Sequence, residues 1–257
     1  MSKGLQSRLG RPWTFDVATL DRAKRATLDL LYPRVCVGCG VASPEPFDFI
    51  CWDCWSDAAK IEAPYCDRCG DPIAGSVEHE YTCYACSAST PVFEGARSAA
   101  RYDGVVGEAL RQLKYEKALW LAPDLAELLR GCLAAEFSTL DFDVIVPVPL
   151  FHVRRRARGY NQSAALAREL GRQLGVPVAP AALRRIRPTS TQTNLTAPQR
   201  LSNVTNAFES RKRKRLAGLR VLLVDDVMTT GATVNACAKA LKKGGAGTIH
   251  ALTVARG

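Results

Sequence analysis

Two groups of residues in this 257-residue chain have types and spacings that could do chemistry. The first is a series of four Cys-x-x-Cys turns: Cys36/Cys39, Cys51/Cys54, Cys66/Cys69 and Cys83/Cys86. They take up eight of the ten cysteines and are separated by 11, 11 and 13 residues. Each turn can aim two thiolates at one tetrahedral ion, and two turns complete a closed four-sulfur site. A disulfide framework is disfavoured, because ten cysteines in 257 residues fall far below scaffold density. The expectation is two structural zinc ions. Gly40 and Gly70 recur after the first and third turns, which favours Cys36, Cys39, Cys51 and Cys54 on one ion and Cys66, Cys69, Cys83 and Cys86 on the other. A cross-braced pairing of the first turn with the third stays open. Cys132 and Cys237 sit in apolar, helix-like surroundings and are expected in the core.

The second group is VLLVDDVMTTGATV, residues 221–234. Val221–Val224 is a continuous apolar run, as a central parallel strand requires. Asp225 and Asp226 are expected at its carboxyl end, where α/β sheets bind ligands. The small-residue turn Thr229-Thr230-Gly231-Ala232-Thr233 then opens a helix, whose unpaired N–H groups favour a phosphate. Acids for sugar hydroxyls followed by a phosphate cradle suit a sugar phosphate. A nucleotide P-loop is excluded, since no Gly-Lys-Ser/Thr follows. A receiver domain is excluded too, because the 31 residues after Asp226 contain no acid to phosphorylate.

The elements that must position these groups are legible as alternating strands and helices. Strands are expected at 97–103, 143–149, 220–225 and 248–254. Helices are expected across 105–135 (broken near Pro123), at 161–174 and at 231–243. A Ser/Thr/Pro/Gln-rich loop fills 187–200. This order indicates an α/β domain with a mostly parallel sheet. Residues 14–32 carry Phe15, Leu20, Leu28 and Leu31 at helical spacing and end at Pro33, as a packing helix would.

Composition separates the same two regions. The net charge is +10, yet residues 1–95 hold 9 Lys/Arg against 13 Asp/Glu, whereas 96–257 hold 26 against 12. The second region therefore faces polyanions. The densest run is Arg211-Lys212-Arg213-Lys214-Arg215, which is expected to contact single-stranded nucleic acid. No stretch is apolar enough to span a membrane and no signal-like apolar segment follows the N-terminus, so a cytoplasmic location is expected.

Residues 221–233 resemble the phosphoribosyl pyrophosphate (PRPP) signature of type I phosphoribosyltransferases. More of the chain resembles the ComF family of bacterial late-competence proteins, through Leu113-Lys114-Tyr115, the VPVPL end at 146–150, Arg156-Ala157-Arg158-Gly159-Tyr160-Asn161-Gln162, and the series Thr189, Gln192, Leu195, Arg200, Asn203 and Phe208. The resemblance implies an N-terminal segment 1–33, a double zinc ribbon over 34–95 and a phosphoribosyltransferase-like α/β domain over 96–257. It implies PRPP with magnesium as ligand. Asp225 and Asp226 take the catalytic position, and Val148 lies in the pyrophosphate loop with Arg158 supplying charge nearby. Arg187 or Arg200 would reach the pyrophosphate from a closing loop. Two readings follow from it. One is transfer of ribose 5-phosphate to an unidentified acceptor; the other is a non-catalytic PRPP- and DNA-binding component of DNA uptake. The family's ATP-driven DNA translocase is the implied partner.

Overall fold

A computed structural model describes residues 34–42, 49–75, 77, 79–188, 206–211 and 216–257. The expected helix at 14–32, most of the 187–200 loop with Arg200, and Lys212 to Arg215 lie outside the described residues. The centre is a four-stranded, fully parallel sheet of β1 (Gly95–Arg101), β2 (Val144–Pro147), β5 (Val221–Met228) and β6 (Ile249–Arg256), ordered β1-β6-β5-β2. A separate antiparallel pair joins β3 (Leu183–Arg185) to β4 (Phe208–Ser210).

Because both faces of a parallel sheet are covered, its strands are apolar on both sides. Val221, Leu223, Ile249 and Ala251 share one cluster with Val234, Cys237 and Leu241 of α7 (Ala232–Lys243). Leu222, Val224, Leu252 and Val254 share the other with α3 (Gly104–Tyr115), α4 (Ala122–Glu136) and α6 (Gln162–Leu174). The chain is therefore layered helix–sheet–helix, as its alternating pattern implies.

Several boundaries differ from expectation for physical reasons. Pro123 does not break a helix; it starts α4, where its missing N–H costs nothing. The break falls at 116–118, where Lys117 adopts φ +59°. A short helix, α5 (His152–Arg158), was not expected, because it buries no side chain and so has no apolar period. The strand carrying the acid pair continues to Met228 rather than ending at Asp225. Cys237 is fully buried as expected, but Cys132 is only half-buried, and burial still pushes its thiol up to about 12.

The cysteine region packs on this domain through two short helices, α1 (Trp52–Ser56) and α2 (Tyr84–Ala88). Trp55 and Ile50 join the α3/α4 core, while Cys66, Cys69 and Cys86 join the α7 core. The Arg256 guanidinium donates to the Cys69 carbonyl at 2.7 Å and pairs with Asp71 at 2.7 Å. Gly70, at φ +66°, is required by close approach as well as by conformation. A Cβ there would lie 2.6 Å from the Ala96 carbonyl oxygen.

Candidate functional site

The acid pair is buried, with Asp225 7% and Asp226 6% exposed. The two side chains lie close enough to interact with each other, and both reach the start of α6. Asp226 falls on the α3/α6 side, where the Lys114 ammonium lies 2.6 Å from its Oδ2. Gln162 Nε2 donates more weakly to its Oδ1 at 3.4 Å. Asp225 Oδ1 accepts from the Ser163 hydroxyl at 2.8 Å and from the Asp226 N–H at 3.0 Å.

These partners set opposite protonation preferences. Burial, and then the adjacent Asp226 charge, pushes the Asp225 carboxyl well above the usual carboxylate range. Burial acts on Asp226 in the same direction, but the Lys114 ammonium, together with hydrogen bonds from Asp225 and Gln162, outweighs it and holds that carboxyl below its usual value. Lys114 itself is raised: burial alone would lower it, and Asp226 reverses the sign. The site thus holds one ionised and one proton-favouring carboxyl, with its counter-ion built in.

Ser163 and Gln162 are aimed by the start of α6. Asn161 caps this helix, accepting the Ser163 N–H at 3.2 Å and donating to the Val148 carbonyl at 2.9 Å. Arg158 donates to Gln162 Oε1 at 2.5 Å and stacks over Tyr115, 5.4 Å from the ring centre. Arg158 is therefore linked to Asp226 through one amide. Tyr160 donates its hydroxyl to the Leu113 carbonyl, tying α3 to the same segment. Lys114, Gln162 and Ser163 had no role assigned from sequence. For Lys114 and Gln162 the signal lay within the Leu-Lys-Tyr and Arg-Gly-Tyr-Asn-Gln pieces, with Ser163 one residue beyond, but nothing in their spacing pairs them with β5.

After Met228 the chain makes the small-residue turn and enters α7 at Ala232. Gly231 adopts φ +73°, and a Cβ there would sit 3.7 Å from Met228 Sδ. The conformation, more than crowding, selects glycine. Gly231 and Ala232 are buried, Thr229 and Thr233 are half-buried and Thr230 is exposed. The turn thereby opens a 12-residue helix, with its N-terminal N–H groups, a few residues after the acids.

The remaining expected residues are spread more widely. Val148 is 5% exposed, donates its N–H to the Val224 carbonyl at 2.9 Å, and gives its carbonyl to Asn161. Its polar groups are thus used to join β2, β5 and α6, and the loop beyond it begins at Pro149. Arg187 and Arg211 are exposed. His152 is exposed with its ring 4.2 Å from Phe151, and His250 packs edge-on between Phe137 and Phe142.

The eight paired cysteines form two tetrads, Cys36/Cys39/Cys51/Cys54 and Cys66/Cys69/Cys83/Cys86, each with its sulfurs within 4.8 Å of one another. The pairing is sequential, not cross-braced. Cys39 and Cys51 sulfurs are 3.6 Å apart and those of Cys69 and Cys83 3.8 Å, and all eight cysteines are free of disulfides. A tetrahedron with Zn–S bonds of about 2.3 Å has an edge of about 3.8 Å, so the spacing fits zinc. Burial would raise Cys36 and Cys66, but backbone N–H donors outweigh it and bring them down to about 6 and about 7. Those donors include Cys51 N–H to Cys36 at 3.3 Å and Cys83 N–H to Cys66 at 3.3 Å.

Comparison with known proteins agrees with this two-part layout. The double zinc ribbon domain family matches residues 27–87, and the phosphoribosyl transferase domain family matches residues 159–257. Competence protein F of Haemophilus influenzae is 32% identical over 75% of this chain and 85% of its own. DNA utilization protein YhgH of Salmonella typhimurium is 34% identical over 88% of this chain and 99% of its own. The solved adenine phosphoribosyltransferase of Thermoanaerobacter pseudethanolicus aligns at a TM-score of 0.34 and 22% identity, covering 56% of this chain and 83% of that one.

Proposed function

The chain belongs to the family of competence protein F and DNA utilization protein YhgH, and from that premise we propose that it binds PRPP at the β5–α7 turn in the service of DNA uptake. The observation that carries this reading is the buried acid pair with its own counter-ion, set directly before a glycine-turned helix N-terminus. In this pose the ribose hydroxyls of PRPP donate to Asp226 and Asp225, and the 5-phosphate lies on the N–H groups of Ala232 and Thr233. Arg158, held through Gln162, adds positive charge on the side of the loop that starts at Pro149. Magnesium fits as an ion carried on the pyrophosphate of PRPP rather than on the acids, since Lys114 already neutralises Asp226. It would supply charge stabilisation to the leaving group.

Transfer, the favoured reading, breaks the bond from C1 to pyrophosphate and forms one from C1 to a nucleophile, which gives up a proton. A binding module that holds PRPP without turnover is the second reading. The two are separated by following pyrophosphate release from PRPP with candidate acceptors, including single-stranded DNA ends. Release that depends on an acceptor supports a transferase, whereas tight PRPP binding without release supports the module.

The tetrad geometry supports two structural zinc ions, with no ligand position left for chemistry. We assign residues 34–95 to the ribbon module and 96–257 to the PRPP domain, with 1–33 as a preceding segment. Among the described residues no helix is long and apolar enough to cross a membrane. The reading places its role in the cytoplasm beside a competence DNA translocase.

A further inference from the structure

The two cysteine tetrads are seated differently on the α/β domain. Beside the first, Ile50 and Trp55 lie in the α3/α4 cluster, and the Phe49 N–H donates to Asp124 Oδ2 at 2.7 Å. Cys66, Cys69 and Cys86 of the second tetrad are buried in the other cluster, together with Met228, Ala232 and Val234. Met228 ends β5 just before the small-residue turn, and Ala232 and Val234 open α7 just after it.

Two polar links tie the second ribbon to the same turn. On the helix side Val92, six residues beyond Cys86, donates its N–H to Asn235 Oδ1 at 2.8 Å. The Asn235 N–H in turn donates to the Gly231 carbonyl at 2.8 Å. On the strand side the nearly buried Arg256 guanidinium donates to the Cys69 carbonyl at 2.7 Å and lies 3.8 Å from the Cys69 sulfur. Arg256 is in register with Met228, and the next N–H, that of Gly257, donates to the Met228 carbonyl at 3.0 Å. A turn of small residues brings few side-chain atoms of its own to the core, so its geometry depends on what holds its two ends. Here both ends are held from the second ribbon. A closed four-thiolate site fixes the loop that carries the Cys69 carbonyl, since a ribbon of this size folds around its ion.

We propose that the second tetrad positions the phosphate turn through Asn235 and Arg256, so that zinc at Cys66, Cys69, Cys83 and Cys86 and PRPP at the turn strengthen each other's binding, while the first tetrad is uncoupled. Asn235 and Arg256 are positioning residues and do not themselves touch the ligand. The inference rests on the PRPP reading above and extends it into the ribbon. Such coupling is reciprocal, each ligand raising the affinity of the other by the same factor.

The test uses the full-length chain with one tetrad disabled at a time: Cys51→Ser keeps the second site and Cys83→Ser keeps the first. Zinc affinity is measured by competition with a chromophoric chelator, with and without saturating PRPP and magnesium, and PRPP affinity by calorimetry. PRPP should tighten zinc by about five- to ten-fold in Cys51→Ser and by less than about two-fold in Cys83→Ser. Reciprocally, Cys83→Ser should bind PRPP about five- to ten-fold more weakly than Cys51→Ser. Adding Asn235→Ala and Arg256→Met to the Cys51→Ser protein should abolish the effect of PRPP on zinc. An equal effect at both sites, or none at the second, overturns the coupling and leaves the PRPP reading intact. Persistence of the effect without Asn235 and Arg256 overturns the assigned route. The two cysteine variants decide the coupling even if the combined variant fails to hold zinc. A zinc-loaded parent that binds no PRPP overturns the PRPP reading and the coupling with it.

Discussion

Replacing Lys114 with methionine removes the one cation within ion-pair distance of Asp226 among the described residues, while keeping most of the side-chain volume. The pair is nearly dry, at 16% and 8% side-chain exposure with 2.6 Å between charges. Breaking such a pair by losing one partner costs about 3–5 kcal/mol, because the other charge is left buried and uncompensated. For a chain of this size that corresponds to a melting-temperature loss of roughly 6–20 °C. The pH dependence gives the sharper signature. In the parent, the depressed Asp226 value contributes stability that is present above its unfolded value and lost as pH falls through the folded one. Without Lys114, burial dominates and the folded value rises above the unfolded one, so the sign inverts and the penalty grows with pH. The variant should therefore be most destabilised near pH 8, with the gap to the parent narrowing toward pH 5. PRPP affinity should fall by roughly ten- to a hundred-fold, the worth of one charged hydrogen bond to ribose. Circular-dichroism melts at several pH values and calorimetric titration of PRPP read both effects. A variant as stable as the parent at pH 8, with PRPP affinity unchanged, would refute the role given to Lys114.

Other changes have equally definite outcomes. Asp225→Asn should raise stability at pH 8 and have little effect near pH 4, because a carboxyl whose folded value is raised costs stability only above its unfolded value; denaturant unfolding at the two pH values checks this. Gly231→Ala should cost about 1–2 kcal/mol from its left-handed conformation and weaken PRPP binding more than it lowers the melting temperature. Elemental analysis should return about two zinc ions per chain, and Cys51→Ser should lose one of them while leaving the Cys66/Cys69/Cys83/Cys86 site filled.

The layered α/β architecture was legible because β2 and the first half of β5 are continuous apolar runs and strands alternate with helical stretches along the chain. The cysteine turns and the Asp225–Thr233 stretch were legible because their chemistry is local: ligands or donors a few residues apart. What escaped is what depends on distance along the chain. Lys114 reaches Asp226 only because α3 packs on the far face of the sheet, and Ser163 reaches Asp225 only because Asn161 caps α6 at that height. Helix α5 escaped for another reason, since a helix that buries nothing leaves no hydrophobic pattern to read. Val148 shows the converse limit. Its position in the loop was readable, but its N–H and carbonyl are already engaged by Val224 and Asn161.

Calorimetric titration of PRPP with magnesium into the parent and into an Asp225→Asn, Asp226→Asn double variant tests the central claim most directly, with zinc content measured on the same samples. The geometry predicts saturable one-to-one binding by the parent, loss of that binding in the variant, and equal zinc in both. Equal PRPP affinity in the two proteins, or no binding by a zinc-loaded parent, would contradict it.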